Sequence, residues 1–185
     1  MIQQAVEAVR DGELVGLPTD TVYGIGADPF SPEGVARLFE LKGRPAYKPV
    51  GVLVAGMSQA SEIAEISGAG LQLAQQHWPG ALTLVVRPRV VMADWVGDQQ
   101  LRTLGVRVPD HPMALELLTA TGPLAVTSAN ESGGRETRSD SEARAIFGDR
   151  IRIYVPGVAT GGEASTVVDA TGTELAVLRD GPVRV

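Results

Sequence analysis

Apolar and polar positions alternate along this chain with two different periods, and the switches between them predict the elements. "IQQAVEAVRDG" repeats its apolar residues at helical spacing and ends at Gly12, after which "ELVGLP" reads as a short buried strand stopped by Pro18. "SPEGVARLFELKGRP" is the clearest helix. Ser31 suits the cap, Pro32 the first helical position, and Val35, Leu38 and Phe39 share a face before Gly43 and Pro45 end it. "PVGVLVAG" is almost continuously apolar, the pattern of a strand covered on both sides.

Further along, "MSQASEIAEISGAGLQLAQQHWPG" predicts two short helices interrupted at Gly68–Gly70. "ALTLVVRP" and "TLGVRVPD" predict strands, "HPMALELLTATG" a helix, and "PLAVTSAN" a strand running into a polar loop. "SEARAIFGD" predicts a helix, and "IRIYVPG", "STVVDAT", "ELAVLRDG" and "PVRV" short β segments. With no internal repeat and no interdomain linker, residues 1–185 read as one α/β (α+β) domain. Its helices flank a twisted, open mixed sheet, in an order too irregular for a doubly wound fold.

Composition narrows the classes. The 44% hydrophobic and 21% charged fractions belong to a soluble globular protein, and no apolar run approaches the length of a membrane span. The start lacks a basic and apolar leader, so a cytoplasmic address and no membrane are expected. Zero cysteines exclude disulfides, thiolate catalysis and cysteine-ligated zinc. A net charge of −6 argues against a broad basic face for nucleic acid. Both lysines, Lys42 and Lys48, nevertheless fall in one short segment around Arg44, which points to a local anion pocket or to a solvated helix end.

Candidate chemistry follows the polar interruptions. "PTDTVYGIGAD" sets Thr19, Thr21 and Tyr23 beside Gly24 and Gly26, either as a wall that touches a polar ligand or with glycines that support a turn or close packing. It lacks the third glycine of a dinucleotide loop, and no phosphate loop with its lysine occurs anywhere. Ser128 and Asn130 alternate at a strand end, a place suited to ligand contact or to a side-chain-stabilised turn. Arg107, set between valines, needs a partner: an anionic ligand, or a carboxylate such as Asp110 or Asp169. Ser165, Thr166 and Arg179 offer further polar lining. His77 and His111 lack metal-ligand spacing and read as structural, and there is no metal site or nucleophile elbow.

Together, "PTDTVYGIGAD", "LKGRPAYKPV", "HWPGALTLV", "GVRVPDHP", "TSANESG", "STVVDAT" and "VLRDGPV" resemble, in order and spacing, the YrdC/TsaC family of threonylcarbamoyl-AMP synthases. The resemblance covers nearly the whole chain. It implies a helix-flanked open sheet around a concave, positively charged cavity. It implies a nucleotidyl transfer in which L-threonine, bicarbonate and ATP, with Mg²⁺, yield L-threonylcarbamoyladenylate and pyrophosphate. A threonylcarbamoyl transferase complex then modifies tRNA next to the anticodon, and contact with tRNA or double-stranded RNA is an implied partner interaction.

By the same resemblance, Thr19, Thr21, Tyr23, Arg107 and Ser165 line the threonine side. Lys42 and Arg44 act on the ATP phosphates as catalytic cations, and Lys48, Ser128, Asn130, Thr137 and Arg179 contact the nucleotide or its anionic groups. Longer relatives carry a histidine on the strand after "KGRP", where this chain has Leu53. Two other functions remain in view at this point: a structured-RNA-binding module, and a paralogue that forms another carbamoyl-adenylate.

Overall fold

The computed structural model describes every residue except Arg44, Ala46, Tyr47 and Ser132. The helices are α1 (Ile2–Arg10), α2 (Pro32–Lys42), α3 (Met57–Ile63), α4 (Gly68–His77), α5 (Pro112–Thr121) and α6 (Asp140–Phe147). The strands are β1 (Val15–Leu17), β2 (Gly24–Ala27), β3 (Gly51–Leu53), β4 (Ala64–Glu65), β5 (Leu82–Pro88), β6 (Leu104–Arg107), β7 (Leu124–Ser128), β8 (Ile153–Tyr154), β9 (Thr166–Asp169) and β10 (Ala176–Arg179). They form one ten-stranded sheet in the order β10-β9-β5-β6-β3-β7-β2-β1-β8, with β4 paired to β5. The sheet is mixed: β1–β8, β3–β6 and β5–β9 run parallel, and the remaining pairs antiparallel.

Local chemistry explains the helix ends. The Ser31 hydroxyl accepts from the Gly34 amide at 3.1 Å with Pro32 next in line, and Gly43 closes α2 in the left-handed region at φ 57°. Ser139 caps α6 in the same manner, accepting from Glu142 at 3.2 Å.

The two faces of the sheet are covered unequally. Beneath one face, α2, α3, α4 and α6 bury Val35, Leu38, Ile63, Leu73 and Phe147 against Ile25, Val52, Leu84, Val106 and Val168, forming a continuous core across the sheet. On the other face, α1 and α5 bury Ala5, Val9, Leu117 and Leu118 against Val15, Leu17, Leu53, Leu124 and Val155. That second layer reaches only the β8–β1–β7 side. Across β6, β5 and β9 the same face carries the half-buried residues Gly105, Thr83, Val85 and Val167, which floor a cavity.

The structure departs from the sequence-based expectation in four places. Gly24–Ala27 is a central strand, which the apolar pattern does not predict. The glycines there serve strand packing: a Cβ on Gly24 would lie 2.7 Å from Val126 Cγ1, and one on Gly16 would lie 2.8 Å from the Tyr23 ring. The break between α3 and α4 falls at residues 64–67, so Gly68 and Gly70 begin α4 instead of separating the helices. Strand β4 was not anticipated. "PVRV" is no strand; its Val183 is tied to Thr166, whose Oγ1 accepts from the Val183 amide at 3.0 Å and donates to its carbonyl at 2.8 Å.

Candidate active site

The cavity on the bare half of the sheet has a volume of about 390 Å³, at the lower end of the ligand-pocket range. The pleat supplies its floor, since Thr83 and Val85 of β5 and Val167 of β9 line it while Leu82, Leu84, Val86 and Val168 between them belong to the core. Gly51 and Gly105 lower that floor. A side chain at either position would stand in the cavity, and a Cβ on Gly51 would lie 3.0 Å from the Gly105 carbonyl.

Arg107, at the end of β6, organises one wall. Its Nη2 pairs with Asp20 at 2.5 Å, Nη1 donates to Thr21 Oγ1 at 2.9 Å, and Nε donates to the Gly80 carbonyl at 3.0 Å. Asp20 Oδ1 also accepts from the Asp110 amide at 3.0 Å. The carboxylate that satisfies this buried arginine is therefore Asp20, and neither Asp110 nor Asp169 plays that part. Linear spacing concealed it, because the two residues lie 87 positions apart. Burial lowers the Arg107 pKa, Asp20 opposes that shift, and the positive charge of Arg179 adds to it.

Thr19 and Thr21 share a hydroxyl contact of 3.0 Å, and Thr19 Oγ1 donates to the Val22 carbonyl at 2.7 Å. The loop that carries Asp20 is thus internally braced. Opposite it, Thr83 and Ser165 hydroxyls meet at 2.8 Å, and the Arg179 guanidinium is laid on Ser165 through bonds of 3.0 and 2.8 Å to its carbonyl and 3.2 Å to its hydroxyl. A slip in register aims Arg179. Val177 pairs with Val168, yet Arg179 pairs with the adjacent Val167, so Leu178 is the extra residue and Arg179 shares the cavity face with Val167.

Thr19, Thr21, Arg107, Ser128, Ser165, Arg179 and Leu53 line the cavity. The structure directs other expected residues elsewhere. The Tyr23 side chain is fully buried in the core and donates to the Val155 carbonyl at 2.8 Å, so its ring does not face the cavity; burial, followed by the Asp140 charge, raises its pKa.

Lys42 is likewise buried, its Nζ set on the Ser128 carbonyl at 2.7 Å, on Asn130 Oδ1 at 2.8 Å and on the Asn130 carbonyl. The Asn130 side chain accepts from Ser128 Oγ at 2.7 Å and donates to the Gly134 carbonyl at 2.7 Å. Thr137 is buried and donates to the Ala129 carbonyl at 2.6 Å. These three brace the loop after β7 and do not line the cavity, because each polar atom points into the turn it stabilises. Lys48 is exposed, next to Pro49 on the rim, and Arg44 lies outside the described residues.

Among the described lining residues, Arg107 and Arg179 carry positive charge and Asp98 and Glu136 negative charge. Among the described residues no group of three or more acidic, histidine or cysteine side chains is placed to hold a metal, and no helix is long and apolar enough to cross a membrane. Sequence reasoning also passed over Asp20 and Glu136, along with Trp95, which lines a second cavity of about 360 Å³ adjoining the first.

Comparison with known proteins gives the arrangement its kinship. A relative from Mycobacterium tuberculosis is 42% identical over 184 residues, covering 98% of this chain and 84% of its own. The threonylcarbamoyl-AMP synthase of Halorhodospira halophila is 38% identical over 170 residues, covering 90% of this chain and 88% of its own. Among solved structures, Pyrococcus abyssi Sua5 complexed with L-threonine has a TM-score of 0.90 at 38% identity, covering 97% of this chain and 54% of that one. The Sua5/YciO/YrdC family profile, described as Telomere recombination, matches residues 7–181, and this chain belongs to that family.

Proposed function

We infer that this chain is a threonylcarbamoyl-AMP synthase, joining L-threonine, bicarbonate and ATP into L-threonylcarbamoyladenylate with release of pyrophosphate. The observation that carries the reading is the convergence of Arg107 and Arg179 with the hydroxyls of Thr21 and Ser165 at one end of the cavity. Family kinship and the relatives named for this activity support it. One sheet runs from β1 to β10, which supports taking residues 1–185 as one domain.

The chemistry needs little from the protein beyond placement and charge. The threonine amine attacks bicarbonate to give N-carboxythreonine and lose water. A carbamate oxygen then attacks the α-phosphorus as the bond to the β-phosphate oxygen breaks, and pyrophosphate leaves with that electron pair. Both reactants are anionic, so their repulsion opposes approach. Fixed guanidinium groups offset it, and holding the reactants together removes the entropic penalty of a bimolecular encounter.

Arg107 carries five N–H donors. Three are in the bonds to Asp20, Thr21 and Gly80, and the others serve the threonine carboxylate or carbamate. Thr19, Thr21 and Ser165 order the same end, and Arg179 takes the neighbouring anionic group. Ser128, at the end of β7, contacts the nucleotide. Lys42 acts as a positioning residue that fixes the Ser128–Asn130 loop through its carbonyls, with Arg44 and Lys48 toward the phosphates. Mg²⁺ enters with ATP as part of the substrate. Magnesium would take most of its ligands from phosphates and water, and Glu136 or Asp98 would supply the one or two carboxylates it accepts. The adenylate is a mixed anhydride open to hydrolysis, so a separate transferase acting on tRNA in the cytoplasm is expected to consume it.

The test is direct. The purified chain is incubated with ATP, Mg²⁺ and bicarbonate, with and without L-threonine, and pyrophosphate and the adenylate are followed, the latter by mass spectrometry. Threonine-dependent release is expected, together with a large loss of kcat/KM in Arg179→Ala. Release without threonine, or none with it, overturns the reading.

A further inference from the structure

The connection from β8 to β9 crosses the turn that carries Asp20, and it does so at very close range. The Thr160 amide donates to the Thr19 carbonyl at 3.3 Å. At Gly161 the two backbones leave no room for a side chain: a Cβ there would lie 2.3 Å from the Asp20 carbonyl oxygen and 3.1 Å from Thr21 Cα. Both neighbours are backbone atoms, which cannot swing aside as the end of a flexible side chain can. Glycine is thus demanded by the close approach. Gly162 differs, since the nearest described atom to a Cβ there is Arg138 Cζ at 3.9 Å.

Residues after β7 hold this connection down. The Gly157 amide donates to Asp140 Oδ1 at 3.2 Å, and the Ala159 amide donates to the Arg138 carbonyl at 2.7 Å. The Arg138 guanidinium then closes over the segment. Its Nη2 donates to the Gly161 carbonyl at 2.6 Å and to the Ala159 carbonyl at 3.4 Å, and a charged donor makes the shorter bond a strong one.

Neither Arg138 nor Gly161 lines the cavity floored by the sheet, but the groups on either side of them do. Thr19 and Thr21 lie under the segment. Further along, the chain enters the cavity as Ala164 and Ser165, the latter holding Arg179. The segment therefore joins the wall built on Arg107 to the wall built on Arg179. Arg107 takes its direction from Asp20 Oδ1 and Thr21 Oγ1, so whatever shifts the Asp20 backbone also re-aims the guanidinium.

We propose that residues 157–164 form a strap that sets the Thr19–Thr21 turn, with Gly161 and Arg138 as positioning residues for the threonine end of the cavity. The proposal rests on the synthase reading.

Two adjacent glycines supply the test and its control. Gly161→Ala must part strap from turn by about 1 Å to reach an ordinary contact. A misplacement of that size costs up to about 100-fold, so KM for L-threonine should rise about 10- to 100-fold. KM for ATP at saturating threonine should stay at the parental value. Gly162→Ala should match the parent in both constants. Arg138→Met removes the donor and keeps the stem, and should raise the threonine KM about 2- to 10-fold, the effect of one hydrogen bond. Arg138→Lys should recover most of that loss.

Should Gly161→Ala fail to fold, the Arg138 pair decides alone. A parental threonine KM in folded Gly161→Ala and in Arg138→Met overturns the strap. So does an equal rise for threonine and ATP, or an equal loss in Gly162→Ala. A parent chain that releases no pyrophosphate with threonine overturns the synthase reading and the strap with it.

Discussion

At the scale of single residues, the cavity wall is held in part by groups that do not line it. Asp20 fixes Arg107 while leaving other guanidinium donors available, and both side chains are close to fully buried. Removing one partner of such a pair strands the other charge, at about 3–5 kcal/mol. Asp20→Ala should lower the urea unfolding midpoint accordingly, and Asp20→Asn, which keeps an acceptor, should lower it less.

Tyr23 gives a second test at this scale. Burial raises its pKa, so the folded state holds the phenol proton more tightly than the unfolded chain does. The stabilisation is complete below the unfolded value near 10 and is lost as pH rises above it. Melting temperature should fall steeply above about pH 10 in the parent and more gently in Tyr23→Phe, which at neutral pH should cost about 1 kcal/mol for the bond to Val155. An equally steep alkaline fall in both would place the titration elsewhere.

At the scale of elements, glycine and register do the shaping. A Cβ at Gly105 would meet Thr83 Cγ2 at 3.4 Å and Gly51 Cα at 3.7 Å, both ordinary contacts, so the backbone accepts a larger residue that then fills the cavity floor. Gly105→Val should keep its circular dichroism and melting temperature while losing substrate affinity. Deleting one residue from a strand normally reverses every side chain beyond it. Leu178 should be an exception: its removal regularises β10 with Arg179 still opposite Val167, so pyrophosphate release should survive. Abolished release in a folded Leu178 deletion would contradict that account of the slip.

Periodicity made most elements legible, because α2, α5, β5 and β9 owe their form to local apolar spacing. It failed at β2, where Gly24 and Gly26 in isolation fit a turn as well as close packing, and only Val126 and Leu17 beside them decide for packing. The polar motifs located the cavity's Thr21, Arg107, Ser128, Ser165 and Arg179. They could not distinguish a side chain that lines the cavity from one, such as Lys42 or Asn130, that braces the loop behind it. Asp20 and Trp95 escaped because one acts across a long sequence separation and the other sits in an irregular loop.

At the scale of the whole molecule, everything follows from one sheet face being only half covered. α1 and α5 close the β8–β1–β7 side, and the remainder is left as floor. Leu82, Leu84 and Val86 belong to the core, while Thr83 and Val85, interleaved with them, belong to the cavity. Leu84→Ala should therefore cost about 2–5 kcal/mol in stability. Val85→Ala should leave the melting temperature nearly unchanged and alter the Michaelis constants instead.

Adjacent codons in this segment thus answer to different pressures, one to persistence of the folded chain and the next to what it consumes. A lineage could retune its substrate preference by changing odd positions alone, without renegotiating the architecture that carries them.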